Sequence, residues 1–88
     1  MAKQVIKFYA DWCGPCKAYG PSFTQVREEL ESDTITFLEI NVENDPDNLS
    51  GEYGVRGIPH TVVLEEGAEV RHRSGRLEAE ELKEFILN

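Results

Sequence analysis

A strand that runs straight into a helix leaves a chain few ways to fold, because both elements must bury an apolar face against common neighbours. The first part of this sequence reads that way. Val5-Ile6-Lys7-Phe8-Tyr9-Ala10 is a short, mostly apolar run of β-formers, the pattern of a buried central strand. After it, Tyr19, Phe23, Val26 and Leu30 recur at helical spacing and form one apolar stripe. Pro21 lies inside that helix, where it removes one backbone hydrogen bond and is expected to kink the axis.

The rest of the chain continues the alternation. Residues 34–42 read as a second strand, with Leu38, Ile40 and Val42 sharing one face. Asn44-Asp45-Pro46 reads as the start of a short helix, Asp45 capping and Pro46 first in the helix, with Gly51 and Gly54 soon ending it. Residues 61–64 form a strand, Glu65-Glu66-Gly67 a turn, and residues 69–74 the partner strand of a hairpin. Arg71 and Arg73 suit that strand to an exposed edge. Residues 77–87 close the chain as a helix with Ala79, Leu82, Phe85 and Ile86 inward, and Glu78, Glu80 and Glu81 at its positive end. The order βαβαββα predicts one α/β domain over residues 1–88. Its four-stranded mixed sheet should carry helices on both faces, the first two strands being parallel through a right-handed crossover.

A chain of 88 residues is long enough to bury one core without a metal. The balance is acidic, 17 Asp+Glu against 9 Lys+Arg, so nucleic acid is not an expected partner. The surplus reads first as a solvated surface, and second as a docking patch for a basic partner. No apolar run approaches the ~18 residues of a membrane span. Lys7 interrupts the amino-terminal apolar stretch too early for a secretory signal, so the expected compartment is the cytoplasm.

In a reducing compartment, Cys13-Gly14-Pro15-Cys16 reads as catalytic or metal-binding rather than structural, since a bridge between them closes almost no loop. Its placement at the strand-to-helix junction adds to this. A helix amino terminus presents unpaired N–H groups and a partial positive charge, which favour a thiolate on the first cysteine. The second, one turn on, is within reach of the first. Pro15 fits the first turn, where its missing N–H costs nothing.

Around this motif, Ala10-Asp11-Trp12-Cys13-Gly14-Pro15-Cys16-Lys17 resembles the active-site sequence of thioredoxins. Pro21 falls where that family has a helix-kinking proline, and Val55-Arg56-Gly57-Ile58-Pro59 resembles its segment bearing a cis-proline. Gly67 and Gly75 match its hairpin-turn and active-site-rim glycines. The resemblance covers nearly the whole chain but lacks the family's amino-terminal strand and helix. It implies a minimal thioredoxin-like fold and a protein-disulfide reductase needing no bound cofactor or metal. Cys13 would attack the substrate disulfide and Cys16 resolve the mixed disulfide, with Gly14 and Pro15 supporting the pair. Trp12, Ile58, Pro59 and Gly75 would form the docking surface, where an extended substrate segment pairs with the Ile58 backbone. Disulfide-containing proteins would be the substrates and a flavin-dependent thioredoxin reductase the electron donor of a monomer.

Some positions depart from the family's pattern. His60 stands where threonine is usual, and Tyr9 where tryptophan often is. Lys7 occupies the place of a buried aspartate thought to help deprotonate the second cysteine, and Glu39 that of the aspartate's lysine partner. Read together, the two charges are exchanged and form a buried pair beneath Cys16, with Glu39 a candidate proton acceptor; the competing reading is a Lys7 that snorkels to water. His60 is either a partly exposed surface imidazole or a neighbour that favours the Cys13 thiolate. Other functions compete as well. A glutaredoxin-like reductase would usually have Pro-Tyr between its cysteines. Zinc would need Cys13, Cys16, His60 and His72, the last of which could point away from the rest. A thioredoxin-like binding subunit without redox turnover is the remaining alternative.

Overall fold

The structure, a computed structural model, describes residues 2–88, the side chain of Val70 excepted. Its elements are β1 (Lys3–Tyr9), α1 (Gly14–Leu30), β2 (Ile35–Asn41), α2 (Leu49–Glu52), β3 (His60–Glu65), β4 (Ala68–Ser74) and α3 (Ala79–Leu87). They form one four-stranded sheet in the order β2-β1-β3-β4. β1 is parallel to β2 and antiparallel to β3, and β4 is the antiparallel edge. The expected order and mixed sheet are therefore present.

Strand alternation sorts the side chains into two cores. Val5 and Val63 join Phe37 and the α1 residues Tyr19, Phe23 and Val26 on one face, closed by Leu77, Leu82 and Ile86. Ile6, Phe8, Val62 and Leu64 pack on the other, under Ile40, Val42, Leu49 and Tyr53. The apolar stripe of α1 lies where its spacing places it, and the helix runs unbroken through Pro21. Leu38, Ile40 and Val42 do share a face, but Leu38 at the free edge of β2 is exposed, and Phe37 on the opposite face is the strand's buried anchor.

The second helix departs from expectation. It begins at Leu49 rather than at Pro46, and Asn48, its cap residue, sits in the left-handed region with φ 52°. Asp45 still serves the helix end from upstream, its carboxylate accepting from the backbone N–H groups of Leu49 and Ser50 at 3.0 and 2.8 Å. Those bonds hold its pKa below the usual aspartate value. Glu66 and Gly67, with φ 53° and 80°, make the two-residue turn of a β3–β4 hairpin, a geometry glycine tolerates well. α3 starts with a reciprocal cap between Glu78 and Glu81. Its carboxyl end receives two cations: Lys3 Nζ donates to the Ile86 carbonyl at 2.7 Å, and Arg71 to the Phe85 carbonyl.

Candidate active site

β1 ends at Tyr9, and a tight turn brings the chain back so that the Cys13 N–H donates to the Ala10 carbonyl at 3.1 Å. Cys13 is thereby the cap residue of α1, with an extended backbone, and Gly14 and Pro15 open the helix. The Cys16 backbone N–H donates to Cys13 Sγ at 3.2 Å, so a sulfur occupies the place a capping oxygen usually takes. Cys13 and Cys16 are joined as a disulfide with their Cα atoms 5.2 Å apart, and both residues are buried. A Cβ on Gly14 would meet no atom within 4 Å, and its φ lies outside the left-handed region; local geometry alone does not demand glycine there.

Across from the disulfide lies the loop before β3. The Ile58–Pro59 bond is cis, as the resemblance implied. Cys13 Sγ is 3.8 Å from the Ile58 carbonyl oxygen, a contact rather than a hydrogen bond, since a disulfide sulfur has no proton to give. Gly75, with φ 89°, donates its N–H to the Pro59 carbonyl at 2.8 Å and so ties the end of β4 to this loop. At that φ a side chain would be strained even though the space is open.

Trp12 is not a core residue. It is 67% exposed, and its indole N–H donates to Glu43 at 3.0 Å. Beside it a depression of about 210 Å³ is lined by Val42, Ser50, Val55, Arg56, Gly57 and Ile58. Trp12, Cys13, Ile58, Pro59 and Gly75 are thus gathered at one rim of the sheet, where the carboxyl end of β1 meets the amino end of β3.

Beneath the disulfide, Lys7 Nζ and Glu39 Oε1 are 2.8 Å apart across paired strands. The pair is real but unequally buried, the Lys7 side chain being 6% exposed and that of Glu39 37%. Glu39 also lies 3.7 Å from Arg27. The Lys7 ammonium stands over the Phe23, Tyr9 and Tyr19 rings at 4.9, 5.3 and 5.7 Å, so it is retained in the core and does not snorkel. Tyr19, in turn, shares a 2.7 Å hydrogen bond with Thr61, and burial pushes its phenol up to about 12.

His60 differs from the surface imidazole that was one of its two expected forms. It is 6% exposed and bonded on both sides, Nδ1 to Ser74 Oγ at 3.1 Å and Nε2 to His72 Nδ1 at 3.0 Å. His72 does not point away: its Nε2 continues the string to Glu69 at 2.6 Å. The four residues of the formal zinc set therefore fall into two separate pairs, the cysteines bonded to each other and the imidazoles to each other. Burial first, and then the neighbouring His72, lower the His60 pKa, with Glu69 opposing them. Nothing in the composition or motifs pointed to this string.

The chain matches the thioredoxin family over residues 1–88. It is 36% identical over 84 residues to a thioredoxin of Mycoplasmoides gallisepticum, covering 96% of this chain and 81% of that one. A thioredoxin of Rhodospirillum rubrum is 33% identical over 81 residues, covering 92% of this chain and 76% of that one. Among solved structures, Fasciola hepatica thioredoxin superposes with a TM-score of 0.84 at 28% identity, covering 97% of this chain and 78% of that one. Mitochondrial thioredoxin 3 of Saccharomyces cerevisiae, in its oxidized form, gives 0.83 at 31% identity, covering 96% and 76%. With a cysteine pair capping α1 and a fold shared with these proteins, the chain belongs to the thioredoxin family and is a thiol–disulfide oxidoreductase with a redox-active Cys13–Cys16 pair.

Proposed function

We infer that the protein reduces disulfides in other proteins, with Cys13 as the attacking thiolate and Cys16 as the resolving thiol. The observation that carries the assignment is the cap geometry: the Cys16 N–H already points at Cys13 Sγ, and the helix end adds its positive field, so negative charge on that sulfur is stabilised. In the first step the Cys13 thiolate attacks one sulfur of the substrate disulfide. The substrate S–S bond breaks, a mixed disulfide forms, and the departing thiolate takes a proton from water. In the second, the Cys16 thiolate attacks Cys13 Sγ, releasing the other substrate sulfur as a thiolate and closing the intramolecular disulfide. Two electrons pass from the dithiol to the substrate.

The substrate segment docks in extended form against Trp12 and the Ile58–Pro59 loop, with Gly75 beside that loop on the same rim. Its support is the exposed indole beside a mostly apolar depression, with Ser50 and Arg56 at its wall, of a size suited to one side chain. Return to the dithiol requires a reductant, and a flavin-dependent thioredoxin reductase in the reducing cytoplasm meets that need.

The test is mechanism-based trapping. Cys16→Ser, given disulfide-bearing proteins, should accumulate mixed disulfides at Cys13. Cys13→Ser should neither trap nor turn over dithiothreitol against a protein disulfide. Release of substrate by Cys16→Ser at the parent's rate would refute the division of roles.

A further inference from the structure

Lys7 is a buried charge for which the two-step exchange has no use, and its place in the fold gives it one. It lies on β1 just before the active-site turn, and it lines the same recess of about 400 Å³ as Cys16, together with Tyr9, Ala10 and Gly20. Glu39 does not line that recess. Its two carboxylate oxygens face Lys7 and Arg27, and its side chain is half open to water, so it stands on the outer side of the ammonium. The other charged residues at the recess mouth are Asp11 and Lys17, both exposed and of opposite sign, so solvent screens them and their fields largely cancel. The buried positive charge on the Cys16 side is Lys7.

We propose that Lys7 is the positioning residue for the resolving step: its ammonium, held in place by Glu39 and by the rings of Tyr9, Tyr19 and Phe23, favours the Cys16 thiolate in the reduced protein and in the mixed disulfide. This rests on the assignment of Cys16 as the resolving thiol. Glu39 is the anchor of Lys7 and not the base that deprotonates Cys16. The thiol proton leaves to water in the recess; no carboxylate has to reach the sulfur. The physical cause is elementary. An opposite charge a few ångströms from an ionising group in a poorly screened site stabilises its charged form, by amounts that reach one or more pKa units.

The experiment separates the two chemical steps. Reduced protein is mixed with the aromatic disulfide 5,5′-dithiobis(2-nitrobenzoate) in a stopped-flow instrument. Attack by Cys13 releases one thionitrobenzoate anion, and resolution by Cys16 releases the second. Lys7→Met should leave the first phase within about twofold of the parent and slow the second roughly tenfold near neutral pH, the effect of one unit on a thiolate fraction. In a Cys13→Ser background, where Cys16 is the lone thiol, the pH midpoint of alkylation by iodoacetamide should rise by about one unit on adding Lys7→Met. Lys7→Arg should restore both readouts most of the way, and Lys7→Gln, a second neutral variant, should behave as Lys7→Met. Glu39→Ala should leave the Cys16 midpoint unchanged or lower it, because it removes a negative charge while the Tyr9, Tyr19 and Phe23 rings still hold the ammonium. An unmoved Cys16 midpoint with an unmoved second phase in the neutral variants would overturn the proposal, and so would a midpoint that rises in Glu39→Ala. Absence of the first phase altogether would instead count against Cys13 as the attacking thiolate.

Discussion

The unequal burial of the Lys7–Glu39 pair sets which partner is costlier to lose. From the sequence alone the expected injury is to strand Glu39, with Lys7→Ala costing about 3 kcal/mol, the range for breaking a buried pair. The structure reverses the emphasis. A carboxylate left behind by Lys7→Met is 37% exposed and keeps Arg27 at 3.7 Å, so it behaves as a surface charge, and the cost should stay below about 1 kcal/mol. Methionine also keeps the length of the lysine stem, so the packing beneath Tyr19 and Phe23 survives. Glu39→Ala, by contrast, leaves an ammonium that is 6% exposed with no carboxylate. A wholly buried charge stranded in this way costs about 3–5 kcal/mol. The three rings around Lys7 offset part of that, each at most about 1–2 kcal/mol. Glu39→Ala should therefore cost about 2 kcal/mol.

Equilibrium urea unfolding of the oxidised protein, followed by far-ultraviolet circular dichroism, reads the difference directly. For a domain this small the slope is about 1–1.5 kcal/mol per molar urea, so Glu39→Ala should lower the midpoint by between ~1 and 2 M and Lys7→Met by less than ~1 M. The double variant should be no less stable than Glu39→Ala alone, since the stranded charge is then gone. Equal losses for the two single variants, or a coupling below about 0.5 kcal/mol, would refute this account and leave the packing of the lysine stem as the source of any loss.

Other expectations follow from single contacts. Tyr19→Phe should destabilise by about 1–2 kcal/mol at neutral pH, because it leaves the buried Thr61 hydroxyl without its 2.7 Å partner. The parent should also lose stability as pH rises above ~10, since the unfolded phenol ionises there while the folded one, pushed up to about 12, stays protonated. Unfolding midpoints that are flat between pH 9.5 and 11.5 relative to Tyr19→Phe would contradict this. His60 works on the acid side: its lowered pKa means that the unfolded chain binds more protons below ~6.5, so stability falls as pH drops through that window. His60→Thr should flatten that limb, and an identical acid limb in parent and variant would exclude His60 as its source. Gly14→Ala should raise stability by about 0.5–1 kcal/mol with disulfide exchange intact, since nothing crowds its Cβ and helix positions favour alanine; a loss of stability would show that the glycine meets a steric demand.

How much of this was legible in the sequence depends on what each feature needs. The helical stripe from Tyr19 to Val26 and the strand from Val5 to Phe8 are written in local periodicity, and the structure keeps them. Placement of the cysteines at the helix start follows from where those two patterns meet. The Lys7–Glu39 pairing required one step more, the parallel register of β1 on β2, which a resemblance could supply but periodicity could not. Its unequal burial was out of reach, because that depends on the α1 rings closing over the Lys7 end while the Glu39 end stays open to water beside Arg27.

The histidine string was illegible for a sharper reason. Around a two-residue turn at Glu66–Gly67, regular antiparallel pairing sets Glu65 against Ala68 and Leu64 against Glu69, and continuing it would set Thr61 against His72. His72 would then share the Thr61 face, toward α1, and could not meet His60, whose side chain lies on the other face of β3. The register instead shifts between Val63 and Leu64, so that Val63 faces Arg71, Val62 faces His72 and His60 faces Ser74. One extra residue in the edge strand inverts the facing of everything beyond it. The same shift that turns His72 and Ser74 toward His60 turns Arg71 toward α3, where it bonds the Phe85 carbonyl. A single bulge on the edge strand thus accounts for both the buried imidazole beside Pro59 and the cation at the carboxyl end of α3, and no periodicity in residues 68–74 announces it.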